Sequence, residues 1–322
     1  MRGRRTRGAG ILVVVLACII PLLSACGRGQ QQHDAALAGS TAVSFDSADG
    51  VHLEGRLFGR GNSIGVVLSH MLPADQSSWW DFAQILADSG YLALTFDFRG
   101  YCPGGNAGCS KGERDISRIW QDVLGAVDFI RSQGADSVSL VGASMGGTAS
   151  LVAAAHASTP IAAVITLSAP TSIEGLVADP NVLTLLSGGK LFIAGVGDAS
   201  AATSAEQLYE QSPPPKRVEI VPADDHGTDL LTGSQSEEVR TLVLSYIAQF
   251  GGTREPLSAR VRNARGTSRC SADAGQGCSW HRAGVGLMVT VREQQLNDRG
   301  GDDEAEEARD RELRERPHGL RG

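Results

Sequence analysis

The stretch "SVSLVGASMGGTAS", Ser137–Ser150, decides how this 322-residue chain is read. It contains Gly-x-Ser-x-Gly centred on Ser144, with apolar residues before it and small residues after it. Glycine accounts for 40 positions, so chance alone supplies the pattern about once in every two such chains, and the pattern by itself decides little. A second match, "GNSIG" at Gly61–Gly65, is centred on Ser63. What separates the two is the element on either side of each serine.

Working outward, "SVSLVGASM" is a continuous apolar run of strand length, and "GGTASLVAAAHA" after it has the composition of a small-residue helix. Upstream, "AVSFDSADGVHLEGRLFG" alternates around Asp49-Gly50 and predicts a β-hairpin. "SIGVVLSH" and "YLALTFDFRG" predict buried strands, separated by the amphipathic helix "SSWWDFAQILADSG" with Gly90 at its end. "GERDISRIWQDVLGAVDFIRSQG" repeats apolar residues at helical spacing and closes at Gly134. Downstream, "IAAVITLSAP", "KLFIAGVGD" and "KRVEIVPADD" predict three more strands, and "SEEVRTLVLSYIAQFG" a last helix. Apolar strands alternating with helices predict an α/β fold: an open, mostly parallel sheet, helices on both faces, an antiparallel hairpin at the entry, one domain over residues 42–251. A dinucleotide-binding fold is disfavoured, because the first strand-to-helix turn, "SHMLPADQSS", lacks a glycine-rich phosphate cradle.

This order separates the two serines. Ser63 precedes its strand and falls at the N-terminal edge of the sheet, where parallel sheets do not build sites. Ser144 follows a strand and opens a helix, the context a nucleophile elbow requires. A serine hydroxyl needs a base, and the base needs a carboxylate to orient it. His156 lies on the helix leaving Ser144, about 18 Å along it, and His281 and His318 lie in the C-terminal region. That leaves His226, in the loop after the last strand. Asp198 closes "KLFIAGVGD" at the same sheet edge and is the expected acid; Glu174 is the reserve, and Asp224 and Asp225 are expected to shape the His226 loop. One oxyanion donor is expected at the Met145 N–H, at the start of the elbow helix. The other belongs to the loop after "GVVLSH". No metal or organic cofactor is implied.

The ends differ from the middle. "MRGRRTRGAG" is basic and "ILVVVLACIIPLL" apolar, the pattern of an export signal over residues 1–25; an uncleaved anchor is the alternative. The Arg4-Arg5 pair lacks the rest of a twin-arginine pattern. Leu23-Ser24-Ala25-Cys26 resembles the lipobox of bacterial lipoproteins, which implies lipidation at Cys26 and attachment to a membrane, facing the periplasm or the exterior. Residues 26–41 then read as a polar linker. Loss of residues 1–25 removes four arginines and no acids, moving the formal charge from −7 to −11, which excludes nucleic acid as a partner. Export favours a disulfide between Cys102 and Cys109. Residues 252–322, rich in Arg, Gly and acids, read as a disordered charged tail in which Cys270 and Cys278 form a possible second pair.

Taken in order, "LSHMLPADQSSW", "FDFRGYC", "GASMGG", "GVGD" and "DDHGTDLL" resemble the α/β-hydrolase superfamily, close to its small esterase and dienelactone-hydrolase-like branch. The resemblance implies that His70-Met71-Leu72 is the oxyanion loop, with the Leu72 N–H as second donor, or the Met71 N–H because Met71 stands where the family usually has Gly. It implies a structural role for Asp97–Gly100. Ser144, where dienelactone hydrolases carry Cys, implies a carboxylesterase acting on a small ester. Only about twenty residues separate "LSAP" from "KLFIAG", so no large lid is expected. Trp79 and Trp80 are candidates for the acyl pocket or for core packing. An amidase on the same residues and a binding lipoprotein without catalysis are the competing readings.

Overall fold

The computed structural model describes residues 35–61, 63–102 and 108–251. All lie in the unit Met1–Ala264; the unit Arg265–Gly322, the signal segment with Cys26 and the charged tail lie outside the described residues. The first strands, β1 (Ser40–Asp46) and β2 (His52–Phe58), pair antiparallel with Asp46 opposite His52. Gly50, at φ +84°, turns the loop between them, where the Asp49-Gly50 signal predicted it. The polar linker is shorter than its composition suggests. Residues 35–39 form a helical turn, Ala36 is buried, and Arg56 donates from Nε to Ser40 Oγ at 2.7 Å and from Nη2 to Leu37 O at 3.3 Å.

Six further strands complete the main sheet: β3 (Ile64–Ser69), β4 (Leu92–Phe96), β5 (Ser137–Ala143), β6 (Ala163–Leu167), β9 (Gly189–Gly195) and β10 (Lys216–Val221). The order across the sheet is β1-β2-β4-β3-β5-β6-β9-β10, antiparallel at the first two pairings and parallel thereafter. The chain runs outward from β3 to β4 and then returns to place β5 on the other side of β3. That reversal puts the ends of β3 and β5 side by side at the C-terminal edge, the position where open parallel sheets make a crevice.

Helices cover both faces. On one lie α2 (Trp120–Ser132), α3 (Met145–His156) and α5 (Ala199–Gln211), packed through residues such as Val123, Val127, Ala149 and Leu208. On the other lie α1 (Trp80–Asp88) and α6 (Ser236–Gly251), packed through Phe82, Leu86, Val243 and Ile247. Trp79 and Trp80 belong to this second core, 0% and 5% exposed, so they pack the interior and do not line an acyl pocket.

Between β6 and β9 the chain forms a small hairpin, β7 (Ser172–Ile173) with β8 (Leu176–Val177), and the one-turn helix α4 (Pro180–Leu183) capped by Asp179. No large lid is inserted there. The crossover helix α5 was not visible in the apolar pattern. Its buried stripe is Ala201, Ala205 and Leu208, too small and too weakly apolar to announce a helix face. Within the described residues no helix is long and apolar enough to cross a membrane.

The Asp97–Gly100 segment serves the architecture. Arg99, almost wholly buried, pairs with Asp122 of α2 and with Asp49 of the first hairpin, each at 2.6 Å. Its guanidinium holds the Asp49 carboxyl down to about 2. Gly125 lets α2 approach the same hairpin, since a Cβ there would run into the Asp46 carbonyl.

Candidate active site

β5 ends at Ala143, and Ser144 turns the chain at φ 46° and ψ −117°, a strained conformation for a residue with a side chain. The turn is tight enough to exclude side chains on both flanks. A Cβ at Gly142 would strike the Gly146 carbonyl, and one at Gly146 would strike the carbonyls of Ser69 and His70. The backbone of the turn is secured by Ser144 N–H donating to Leu167 O at 2.8 Å and Ser144 O accepting from Gly147 N–H at 2.9 Å. Ser144 is the N-cap of α3, yet its side chain makes no capping bond. A serine in that position normally spends its oxygen on the helix; here the hydroxyl does not. Ser63, the other match, lies just before β3 at the opposite edge.

The loops that carry Asp198 and His226 are held together by their backbones. Val196 N–H donates to Val221 O at 2.8 Å and Gly197 N–H to Ala223 O at 3.0 Å. Glycines at 195 and 197 permit this: a Cβ at Gly195 would meet the Ala223 carbonyl, and one at Gly197 the Asp224 carboxylate. On that base, His226 Nδ1 lies 2.5 Å from Asp198 Oδ2, with the imidazole side chain 44% exposed and the carboxylate 15% exposed. Asp198 is the N-cap of α5 and, like Ser144, makes no side-chain cap. The other acids are elsewhere. Glu174 is exposed at the tip of the β7–β8 hairpin, Asp224 packs over Gly197, and Asp225 packs over Gly233. His156, at the end of α3, packs its ring tilted against Trp120.

A residue that sequence reading missed folds this pair toward the elbow. Ser168, buried and at φ 55° just past β6, accepts the Gly227 N–H on its Oγ at 3.0 Å. The bond draws the His226 loop across the end of β9 to the ends of β6 and β5. There a Cβ on Gly227 would stand 3.4 Å from Ala143 Cβ, beside Ser144. No periodicity or motif marks Ser168; its part depends on three strands meeting in space.

The loop after β3 is organised by His70. The ring is fully buried, and burial pushes it down to about 4, so it is neutral. Its Nε2 accepts the Phe98 N–H at 3.2 Å, which leaves Nδ1 protonated to donate to Met71 O at 3.0 Å. Phe98 and Tyr101 pack on the ring. Because a peptide plane carries its C=O and N–H on opposite sides, pinning the Met71 carbonyl to His70 turns the Leu72 N–H away from the ring. Beyond this loop, a disulfide joins Cys102 and Cys109, with Cα atoms 4.2 Å apart. Across the described residues no group of three or more His, Cys, Asp or Glu is arranged to hold a metal.

An eight-stranded, mostly parallel sheet entered through a hairpin, with a strained serine between a central strand and its helix, defines the α/β-hydrolase class of fold. A sequence profile described as alpha/beta hydrolase fold matches residues 66–258, more than half of the chain, and the chain belongs to that family. No curated protein matches it in sequence. Among solved structures, it is similar to an esterase of Pyrococcus furiosus, with 17% identity and a TM-score of 0.57 over 67% of this chain and 95% of that one. It is similar also to a dienelactone hydrolase of Anabaena variabilis, with 20% identity and a TM-score of 0.55 over 66% of this chain and all of the other. A thermophilic esterase of Thermogutta terrifontis, solved with malate bound, gives 17% identity and a TM-score of 0.53 over 66% and 100%.

Proposed function

We propose that the protein is a serine hydrolase that cleaves small carboxylic esters through an acyl-enzyme. The observation that carries this reading is a strained, uncapped Ser144 at the elbow, flanked by a loop in which Asp198 already holds His226 Nδ1. In acylation, Ser144 Oγ attacks the ester carbonyl while His226 Nε2 takes the hydroxyl proton. The tetrahedral oxyanion is held by the Met145 N–H at the start of α3 and by the Leu72 N–H. Collapse expels the alcohol, which receives the proton from His226. Water then enters, His226 takes its proton, and a second tetrahedral species releases the acid and restores Ser144. Asp198 stays ionised throughout and stabilises the imidazolium.

Leu72 is favoured over Met71 as the second donor. The His70 carbonyl faces Gly146 on the elbow, which points the Met71 N–H of that peptide away from it. Esterases among the similar structures support an ester substrate.

The test is hydrolysis of p-nitrophenyl esters of increasing acyl length by residues 27–322, beside Ser144→Ala, with fluorophosphonate labelling followed by peptide mapping. Turnover that is lost in the variant, with label on Ser144, is the expected result. Label without ester turnover moves the substrate to an amide, and a folded protein with neither leaves the fold as a binding scaffold. The same reading includes export and lipidation at Cys26, supported by the basic, apolar and Leu-Ser-Ala-Cys pattern of residues 1–26. Mass spectrometry of the mature N-terminus tests it; an unmodified Met1 would remove it.

A further inference from the structure

Met71 stands where the resemblance puts glycine, and its side chain does not turn to solvent. It is buried, 7% exposed, and runs across the site to the loop that carries His226. There its Sδ accepts the Thr228 hydroxyl at 3.7 Å, within the range of a hydrogen bond to sulfur. Thr228 is itself buried, 4% exposed, two residues beyond His226. A second contact of the same sulfur adds to that bond. A Cβ on Gly227, at φ +56°, would run into the Met71 sulfur, so the thioether packs where only a glycine leaves room.

We propose that Met71 is a positioning residue that couples the oxyanion loop to the base loop, resting on the serine-hydrolase reading above. One end of the residue is tied by its carbonyl to His70 Nδ1, next to the Leu72 N–H, and the other by its sulfur to Thr228. Ser168 holds the base loop from the opposite flank through Gly227 N–H. The Leu72 donor and the His226 ring therefore move as one unit. A glycine at position 71 has no side chain to make this link. The two groups act in the same transition state, one on the oxyanion and one on the proton, so loosening the link lowers kcat while substrate binding is kept.

A double-mutant cycle tests the coupling: Met71→Leu, Thr228→Val and the pair, with Thr228→Ser as the variant that keeps the hydroxyl. Met71→Leu conserves volume, so the fold is retained, and thermal melting of every variant checks this. The expected result is a loss of about tenfold in kcat for each single variant with KM within about twofold, no further loss in the pair, and wild-type kcat in Thr228→Ser. Undiminished kcat in Met71→Leu or Thr228→Val, or losses that multiply in the pair, overturns the coupling while the hydrolase reading stands. A folded wild type that neither hydrolyses esters nor takes fluorophosphonate at Ser144 overturns both.

Discussion

Ser144 and Asp198 are each the N-cap residue of a helix, yet neither side chain makes the capping bond, which forgoes about 1 kcal/mol of helix stability at each site. Under the proposed function both side chains serve the reaction instead. Asp198→Asn keeps the shape of the site but presents an amide to His226, so it is expected to fold normally and lose about 10⁴ in kcat; unchanged activity would return the role to Glu174 or Asp224. Ser168→Ala leaves the buried Gly227 N–H without its acceptor. It is expected to cost about 1–3 kcal/mol in urea unfolding and to lower kcat as well. A loss of stability with full activity would show that Ser168 does not position the base. At this scale the pairing of Asp198 with His226 was legible in the sequence because each follows a readable strand at the same sheet edge. Ser168 and the reach of the Met71 side chain were not, because each contact is with a residue more than fifty positions away.

The elbow is an element-level device: β3, β5 and α3 approach so closely that only glycine fits at positions 142 and 146. Gly146→Ala forces a methyl against the Ser69 and His70 carbonyls and so displaces the oxyanion loop. The expected result is a melting point lowered in line with about 1–3 kcal/mol of overpacking, together with slower fluorophosphonate labelling; an undisturbed labelling rate would show that the loop has room to yield. Strands β3 to β6 and β9 announced themselves as apolar runs, as strands buried on both faces must, whereas β10, KRVEIV at the sheet edge, is half-exposed and carries three charged residues. Helix α5 stayed silent because alanine buries little surface, and the two tryptophans were ambiguous because a large apolar side chain reads the same in a pocket as in a core.

Across the whole molecule, two buried groups near the sheet edge bend stability in opposite directions with pH. Burial outweighs the Gln76 hydrogen bonds at Asp97 and raises its carboxyl to about 7. The fold therefore binds that proton more tightly than the unfolded chain does, and the resulting stability fades as pH climbs from about 4 to about 7. His70, pushed down to about 4, works the other way: the unfolded chain takes up its proton first, so stability grows as pH rises toward 6.5. Removing one slope should expose the other. Asp97→Asn is expected to gain stability steadily between about pH 4.5 and 6.5 relative to wild type, read from urea midpoints. Parallel profiles would mean that Asp97 is ionised in the fold across that range.

The class of fold was written in the chain itself, because buried parallel strands must be apolar throughout and their crossovers must be helical, whatever the neighbours are. The positions of the elbow and of the proposed acid and base followed, since each comes in or just before the loop after a strand at the same edge. How the loops that carry them are arranged was decided only in three dimensions. Glycines 195 and 197 let two loops touch, Ser168 ties one of them across the sheet, His70 aims a peptide plane, and Met71 spans to Thr228. These are contacts between residues far apart in the chain, made by small or unremarked side chains, and no local pattern of polarity can record a distance that closes only when the sheet assembles.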